Sequence, residues 1–171
     1  MFNLSKYKEI EKIIEKSGKK TKIIAVSKNQ SLEQVESAIS NNVKIFGENR
    51  VQEAFTKFSQ MQDKKKDIHL HLTGPLQTNK LKTAINIFHT FHTLDREKLI
   101  KEFGKYTDKI KNKEFFIQIN TGKEETKSGV YPEDAEKFLK LCYFHGIKNI
   151  RGLMCIPPIN DDPKKHRFSL G

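Results

Sequence analysis

Two kinds of hydrophobic pattern alternate along this chain. Short continuous apolar runs predict strands buried within a sheet, and apolar residues spaced three or four apart predict amphipathic helices. A helix is predicted over residues 3–17, and six strands, each followed by a helical or polar segment, come after it. The predicted strands cover residues 23–28, 43–47, 68–74, 88–94, 115–119 and 150–156.

Capping residues mark several of the predicted helix boundaries. Ser31 begins a capping box that is completed by Gln34, and such a box satisfies backbone N–H groups at a helix start. Pro75 and Pro132 suit first helical turns, and Asp95 is interpreted as a cap of the helix that follows it. The connections between elements are therefore short, as expected for repeated strand–helix units.

The repeated strand–helix order is typical of a parallel sheet, either open and doubly wound or closed as a (β/α)8 barrel. No Gly-x-Gly-x-x-Gly or P-loop motif begins any predicted helix, which counts against a nucleotide-binding open sheet. Polar residues instead follow many of the strands, as at the mouth of a TIM barrel. We therefore predict one domain of (β/α)8 TIM-barrel type over residues 1–171. Its strand-end residues are Lys28, Glu48, Asn49, Thr73, Asp95, Asn120 and Met154.

Composition excludes some classes of function. The formal net charge is +11, from 32 basic and 21 acidic residues, which suggests a nucleic-acid partner. Only four of the basic residues are arginine, and acidic residues are interleaved with the lysines, so a solvated lysine-rich surface is favoured. No apolar run approaches the length of a membrane span. A cytoplasmic protein without membrane or nucleic-acid partners is predicted.

Cysteine and histidine spacing does not indicate a metal centre. Cys142 and Cys155 are too few for a disulfide framework and are not spaced as metal ligands. Two histidine pairs have ligand-like spacing but lack a nearby third ligand, so structural roles are favoured. These pairs are His69 with His71 and His89 with His92.

Lys28 is the residue with the most suggestive chemistry. It ends the apolar run that begins at Ile23, so it is expected at the carboxyl end of a parallel strand, where ligands bind. Apolar surroundings would desolvate the amine, disfavour its ammonium form and favour attack on a carbonyl, as in a Schiff-base lysine. An ordinary surface lysine is the alternative, because the chain is rich in lysine.

Seven segments, in order and nearly one per strand end, resemble the pyridoxal phosphate homeostasis proteins, a pyridoxal-phosphate-binding family with an alanine-racemase-like barrel. The segments are Ala25-Val26-Ser27-Lys28, Phe46-Gly47-Glu48-Asn49 with Val51-Gln52-Glu53, His71 to Lys80, His92-Thr93-Leu94-Asp95, Gln118-Ile119-Asn120, Lys127-Ser128-Gly129, and Arg151-Gly152-Leu153-Met154.

The resemblance implies a function in cofactor homeostasis. Lys28 would hold pyridoxal 5'-phosphate as a Schiff base, and Asn49, His71 and Met154 would line the cofactor pocket. His71 could equally be a histidine satisfied inside the barrel, and Met154 could be core filling. Family members resemble carriers or buffers of the cofactor, so binding without turnover is expected.

The end of the chain departs from the family pattern. The family continues beyond the Gly-Leu-Met strand with a helix, a seventh strand, another helix and an eighth strand. Here Phe168 to Gly171 resembles the start of the seventh strand, but the preceding helix is missing. We therefore expect a C-terminally shortened, incomplete barrel of about six units that lacks the last two strands and the usual phosphate site, and so binds weakly. Unpaired edge strands would favour either a monomer or an edge-paired oligomer.

Three alternatives remain open from the sequence. A racemase-like pyridoxal-phosphate enzyme would need a second acid/base residue, and Tyr131 and Tyr143 fall in predicted loop or helical positions. A truncated remnant without function is the second alternative. The third is an interaction module that uses the basic charge.

Overall fold

A computed structural model describes residues 2–61 and 67–158 of the chain as an α/β unit. The N-terminal helix α1 spans Leu4–Lys16 and precedes the first strand. Among these residues no helix is both long and apolar enough to cross a membrane. The strands are β1 (Ala25–Val26), β2 (Ile45–Glu48), β3 (His69–Leu72), β4 (Thr90–Leu94), β5 (Glu114–Ile119) and β6 (Ile150–Cys155). The remaining helices are α2 (Leu32–Ser40), α3 (Val51–Ser59), α4 (Leu81–Ile87), α5 (Glu97–Gly104), α6 (Thr107–Ile110) and α7 (Ala135–Phe144).

The six strands form one parallel sheet in the order β1-β2-β3-β4-β5-β6. A doubly wound sheet reverses its strand order at a switch point, which places helices on both faces. Strand order here never reverses, and right-handed crossovers then put all the helices on one face, as in a barrel. The predicted barrel-type α/β fold is confirmed. Within the described ranges, β1 pairs only with β2 and β6 only with β5.

The core lies on the face of the sheet that the helices cover. Alternate residues of β3 and β5 are buried, as expected for strands whose side chains point to opposite faces. At the centre of this face, Phe91 of β4 stacks on Phe115 at 5.5 Å between ring centroids and meets Phe103 of α5 edge-on at 5.1 Å. All three rings are almost completely buried.

The opposite face, here called the inner face, is lined by His69, His71, His92, Phe116 and Gln118. In β3 and β5 its residues are only half-buried, alternating with buried leucine, phenylalanine and isoleucine. This face corresponds to the interior of a barrel, and it is largely polar.

Several predicted boundaries were wrong. The first strand is only Ala25–Val26 and not residues 23–28, since its register with β2 covers only the pairs Ala25–Phe46 and Val26–Gly47. Pro75 does not begin a helix, since Gln77 is still extended and a 3-10 turn over Thr78–Lys80 precedes α4. The short helix α6 was not predicted. The segment Phe168 to Gly171 lies outside the described residues.

The interpretation of Asp95 as a helix cap was also wrong. Arg96 occupies the N-cap position of α5, and no side chain caps this helix through a hydrogen bond. The buried Asp95 carboxylate instead accepts a hydrogen bond from Arg96 Nη1 at 2.6 Å, and Arg96 Nη2 donates to the carbonyl of Leu76. Burial raises the pKa of Asp95, although the adjacent Arg96 charge opposes this.

Candidate functional site at the carboxyl ends of the strands

The carboxyl ends of all six strands share one rim because every strand pair is parallel. Lys28 follows the end of β1 by two residues, and Asn49 follows β2 directly. His71 and Met154 are each the second-last residue of their strands, β3 and β6. The four predicted site residues are therefore distributed along one end of the sheet, although no hydrogen bond or ion pair joins Lys28 to the other three among the described residues.

Lys28 is exposed, and the expectation that apolar neighbours desolvate its amine was wrong. The physical reason is the position of β1 at the edge of the described sheet, where Val26 is itself 50% exposed. Within residues 2–61 and 67–158, the Lys28 amine makes no hydrogen bond or ion pair. Lys28 therefore presents beside the rim an exposed primary amine that has no hydrogen-bond or ion-pair partner within these residues.

The backbone before Lys28 is bound to a buried polar cluster. The hydroxyl of Ser27 donates to Glu48 Oε1 at 2.7 Å, and Lys57 Nζ donates to the Ser27 carbonyl at 2.7 Å and to Glu48 Oε1 at 2.8 Å. Glu48 is completely buried and Lys57 is 8% exposed. Glu48 therefore forms a buried ion pair with Lys57.

The backbone after Lys28 is held by the same helix, α3. The N–H of Asn29 donates to Glu53 Oε1 at 2.6 Å, and Lys57 also donates to this carboxylate at 3.2 Å. Asn29 has a φ of +58°, a left-handed conformation that asparagine tolerates better than most residues. Burial raises the pKa of Glu53, but hydrogen bonds from Asn29 and Lys57 outweigh this effect and lower it overall.

Lys57 was not predicted from the sequence to have a role, although the helix pattern contained a signal. On α3 the buried residues include Ala54 and Phe58, and Lys57 lies three residues after the first and directly before the second. A lysine on the apolar side of a helix is rarely buried without a partner. Glu53 lies four residues before Lys57 on the same helix, a spacing that brings two side chains together, and it is one of the partners of Lys57.

Asn49 lies beside an open cavity at the rim. Its side-chain oxygen accepts a hydrogen bond from the Thr73 hydroxyl at 2.9 Å, which ties the end of β2 to the end of β3. At Gly74 an added Cβ would come within 2.3 Å of the Asn49 carbonyl oxygen, so the two chain segments require glycine to approach so closely. The cavity has a volume of about 290 Å³, and Asn49, Gln118, Lys127 and Ser128 are among its lining residues.

His71 lies in a cluster of imidazoles on the inner face. Its Nδ1 is 2.7 Å from Nε2 of His92, whose ring stacks on Phe116 at 4.5 Å between centroids. Burial, followed by the neighbouring His92, lowers the pKa of His71 to about 3. One ring nitrogen of His71 thus makes a hydrogen-bonding contact within the protein. This contact agrees with the alternative interpretation, in which His71 is a histidine satisfied inside the barrel.

The other histidines complete this cluster. His69 contacts the Thr90 hydroxyl through Nε2 at 2.9 Å, and its ring lies 4.8 Å from that of His89. The N–H of Leu70 donates to His89 Nδ1. Among the described residues, no group of three or more histidine, cysteine, aspartate or glutamate side chains is arranged to hold a metal ion.

Met154 is half-buried on β6, opposite Gln118 of β5 in the strand register. Gln118 donates a hydrogen bond to the Ser128 carbonyl and so fixes the loop after β5. The register places Met154 beside a residue that lines the rim cavity, whereas Lys28 is at the other end of the strand order.

Comparisons with known proteins agree with this geometry. The family described as "Alanine racemase, N-terminal domain" matches residues 5–170. A pyridoxal phosphate homeostasis protein from Buchnera aphidicola subsp. Schizaphis graminum is 35% identical, over 94% of this chain and 75% of its own length.

Solved structures show the same fold. PipY from Synechococcus elongatus, solved with PLP bound, is 27% identical and superposes with a TM-score of 0.72, covering 91% of this chain and 73% of PipY. An alanine racemase from Clostridium difficile shares the fold at 14% identity and a TM-score of 0.68, over 96% of this chain but 45% of the racemase. The extent of the family match and the identity to the Buchnera relative establish that the chain belongs to the pyridoxal phosphate homeostasis protein family.

Proposed function

We propose that this chain binds pyridoxal 5'-phosphate through a Schiff base on Lys28 and serves cofactor homeostasis without turning over a substrate. The observation that carries the proposal is the exposed Lys28 amine at the carboxyl ends of the strands, which has no hydrogen-bond or ion-pair partner among the described residues. Membership of a family named for pyridoxal phosphate homeostasis and the PLP-bound structure of the similar PipY support it.

A comparison of two lysines near the rim explains why Lys28 is the proposed attachment point. Attack on an aldehyde needs a free lone pair, and Lys57 donates to three oxygen acceptors in a buried ion pair. Freeing the amine of Lys57 would leave Glu48 buried without its cation, which is costly. Among the described residues Lys28 has no such partners, so its amine, once it has given its proton to solvent, can add to the aldehyde carbon, lose water and form the imine.

The remaining predicted site residues offer suitable groups for a cofactor with a polar ring. The Asn49 amide lies at the rim, and a second ring nitrogen of His71 is not used in its contact with His92. Met154 supplies a polarisable thioether at the β6 end of the rim. We propose that these three side chains contact the cofactor around its ring while Lys28 provides the covalent bond.

The absence of turnover is part of the proposal. A racemase would need a second acid/base residue at the cofactor, usually a tyrosine or cysteine, on the opposite side from the lysine. The two tyrosines considered for this role, Tyr131 and Tyr143, lie in the loop after β5 and on α7 rather than on the inner face. Incubation of the loaded protein with L-alanine should therefore yield no D-alanine.

Mapping the adduct tests the covalent site. The purified protein is mixed with pyridoxal 5'-phosphate, reduced with borohydride and digested, and the modified lysine is identified by mass spectrometry. We expect the adduct on Lys28 and its loss in Lys28→Ala. Lys44→Ala is the matched control, because Lys44 is also exposed but precedes β2 at the opposite end of the sheet. An adduct spread over several lysines, or unchanged in Lys28→Ala, would contradict the proposal.

A further inference from the structure

We infer that Glu53 and Lys57 of α3 are positioning residues for Lys28, holding the backbone on both sides of it so that its amine stands at the rim. This inference rests on the proposed function, because it concerns how that lysine is presented to an aldehyde. It assigns a role to two residues on a helix whose side chains do not themselves reach the rim cavity.

The strand that carries Lys28 cannot fix its position by itself. β1 has only two residues, and it pairs on one side within the described sheet. The ladder extends one step further, through the Ser27 N–H to the Gly47 carbonyl at 2.9 Å. Val26 is half-exposed, so apolar packing contributes less here than at the centre of the sheet.

The α3 side chains supply what the strand lacks. Lys57 binds the Ser27 carbonyl, the group immediately before Lys28 in the backbone, and Glu53 binds the Asn29 N–H, the group immediately after it. The two side chains are joined to each other at 3.2 Å, and Lys57 is anchored to the buried Glu48. The left-handed φ of Asn29 reverses the chain directly after the lysine, and the hydrogen bond to Glu53 stabilises that conformation.

The burial of Lys57 and its hydrogen bonds support a positioning role rather than that of a simple surface ion pair. Exposed ion pairs contribute little to structure, but Lys57 is nearly buried and makes three hydrogen bonds to groups from three different segments. A displacement of the reacting group by about 1 Å can reduce reactivity roughly a hundredfold. The cluster therefore acts on the rate and affinity of imine formation through the position of Lys28.

Glu53→Ala and Glu53→Gln separate positioning from folding. Glu53→Ala removes the acceptor for Asn29 while leaving the buried Glu48–Lys57 pair intact, so the protein should fold. Glu53→Gln keeps an oxygen at the same place. We expect Glu53→Ala to slow imine formation at Lys28 and to weaken its equilibrium about tenfold, as judged by the visible absorbance of the imine and by borohydride trapping. Glu53→Gln should restore most of both.

Glu136→Ala is the matched control, because Glu136 forms an i,i+4 ion pair with Lys140 on α7, away from the rim. Its imine formation should equal that of the wild type. A second readout is amide hydrogen exchange of Asn29, which should be faster in Glu53→Ala than in Glu53→Gln without any cofactor present.

The outcomes distinguish this inference from the proposed function. If wild-type protein forms the adduct on Lys28 and folded Glu53→Ala forms it at the same rate and affinity, the positioning role is wrong and the proposed function stands. If the wild type forms no adduct on Lys28, the proposed function is wrong and the inference is overturned with it.

Discussion

The centre of the sheet and its β1 edge are stabilised by different interactions. At the centre, Phe91, Phe103 and Phe115 are essentially inaccessible to solvent and pack ring against ring. At the edge, α1 buries none of its residues, Ile13 is 59% exposed, and β1 is two residues long. The edge is instead tied to the body by the hydrogen bonds of Lys57 and Glu53.

The residues that stabilise the fold and the lysine proposed to react therefore lie in different regions of the sheet. The apolar centre provides most of the hydrophobic stabilisation, which scales with the apolar area removed from water. The proposed reactive lysine lies where that packing is weakest, and directed polar contacts hold its backbone. A solvated amine stays accessible to a small aldehyde there, while its position is still defined.

The largest effect is expected at the centre of the sheet. Phe91→Ala removes a fully buried ring and leaves a cavity between Phe103 and Phe115, so the free energy of unfolding should fall by about 4 kcal/mol. Urea denaturation monitored by circular dichroism measures it. Ile13→Ala on α1 is the control, and it should change the free energy of unfolding by no more than about 0.5 kcal/mol. Similar losses in the two variants would contradict the contrast between the regions.

A somewhat smaller effect is expected from the buried ion pair between Glu48 and Lys57. Lys57→Met leaves the Glu48 carboxylate buried without its cation, and such a loss typically costs about 3 kcal/mol of unfolding free energy. The double variant Glu48→Gln/Lys57→Met should recover much of this loss, since no uncompensated charge remains. Urea denaturation of the single and double variants forms the measurement. A double variant less stable than Lys57→Met alone would show that the buried charge is not the cause.

The architecture could be predicted from sequence because its signals are local. Alternating strand and helix patterns, capping residues and the lack of a nucleotide-binding glycine motif led to the barrel-type sheet, which the strand order confirms. The resemblance carried by the strand-end segments led to the family, which the comparisons confirm. The roles of Lys28, Asn49, His71 and Met154 in binding a cofactor remain predictions.

The polar cluster at the edge was less accessible to prediction because its partners are distant in sequence. Lys57 meets the Ser27 carbonyl across 30 positions, and Ser27 meets Glu48 across 21. Hydrophobic periodicity indicates which face of an element is buried but not which polar groups meet there. The exposure of Lys28 was mispredicted for a related reason. A continuous apolar run implies burial on both faces only when other parts of the protein cover both faces of the sheet, and Val26 of β1 is 50% exposed.

The histidine cluster lies on the inner face, and its contribution to the free energy of unfolding depends on pH. Burial lowers the pKa of His69, His71 and His92 below the ordinary value of 6.5, for His71 to about 3. His92 and His69 add like-charge repulsion to His71, while Glu114 raises the pKa of His69 and His92. The folded state therefore favours neutral rings. This stabilisation is complete above pH 6.5 and is lost as the pH falls toward 3.

The smallest predicted effect is a change in the acid sensitivity of His71→Asn. Between pH 7 and pH 5 the unfolded His71 takes up a proton that the folded one does not, so wild-type stability should decrease by about 0.5 kcal/mol per pH unit from this residue, after allowance for partial solvent exposure. His71→Asn cannot titrate, so its free energy of unfolding should decline less steeply by that amount. Urea denaturation at pH 7, 6 and 5 gives the slopes, and NMR titration of the imidazole checks that His71 stays neutral at pH 5. Parallel slopes for the two proteins, or a His71 ring that protonates near pH 6.5, would mean that the inner face is as open to solvent as the β1 edge.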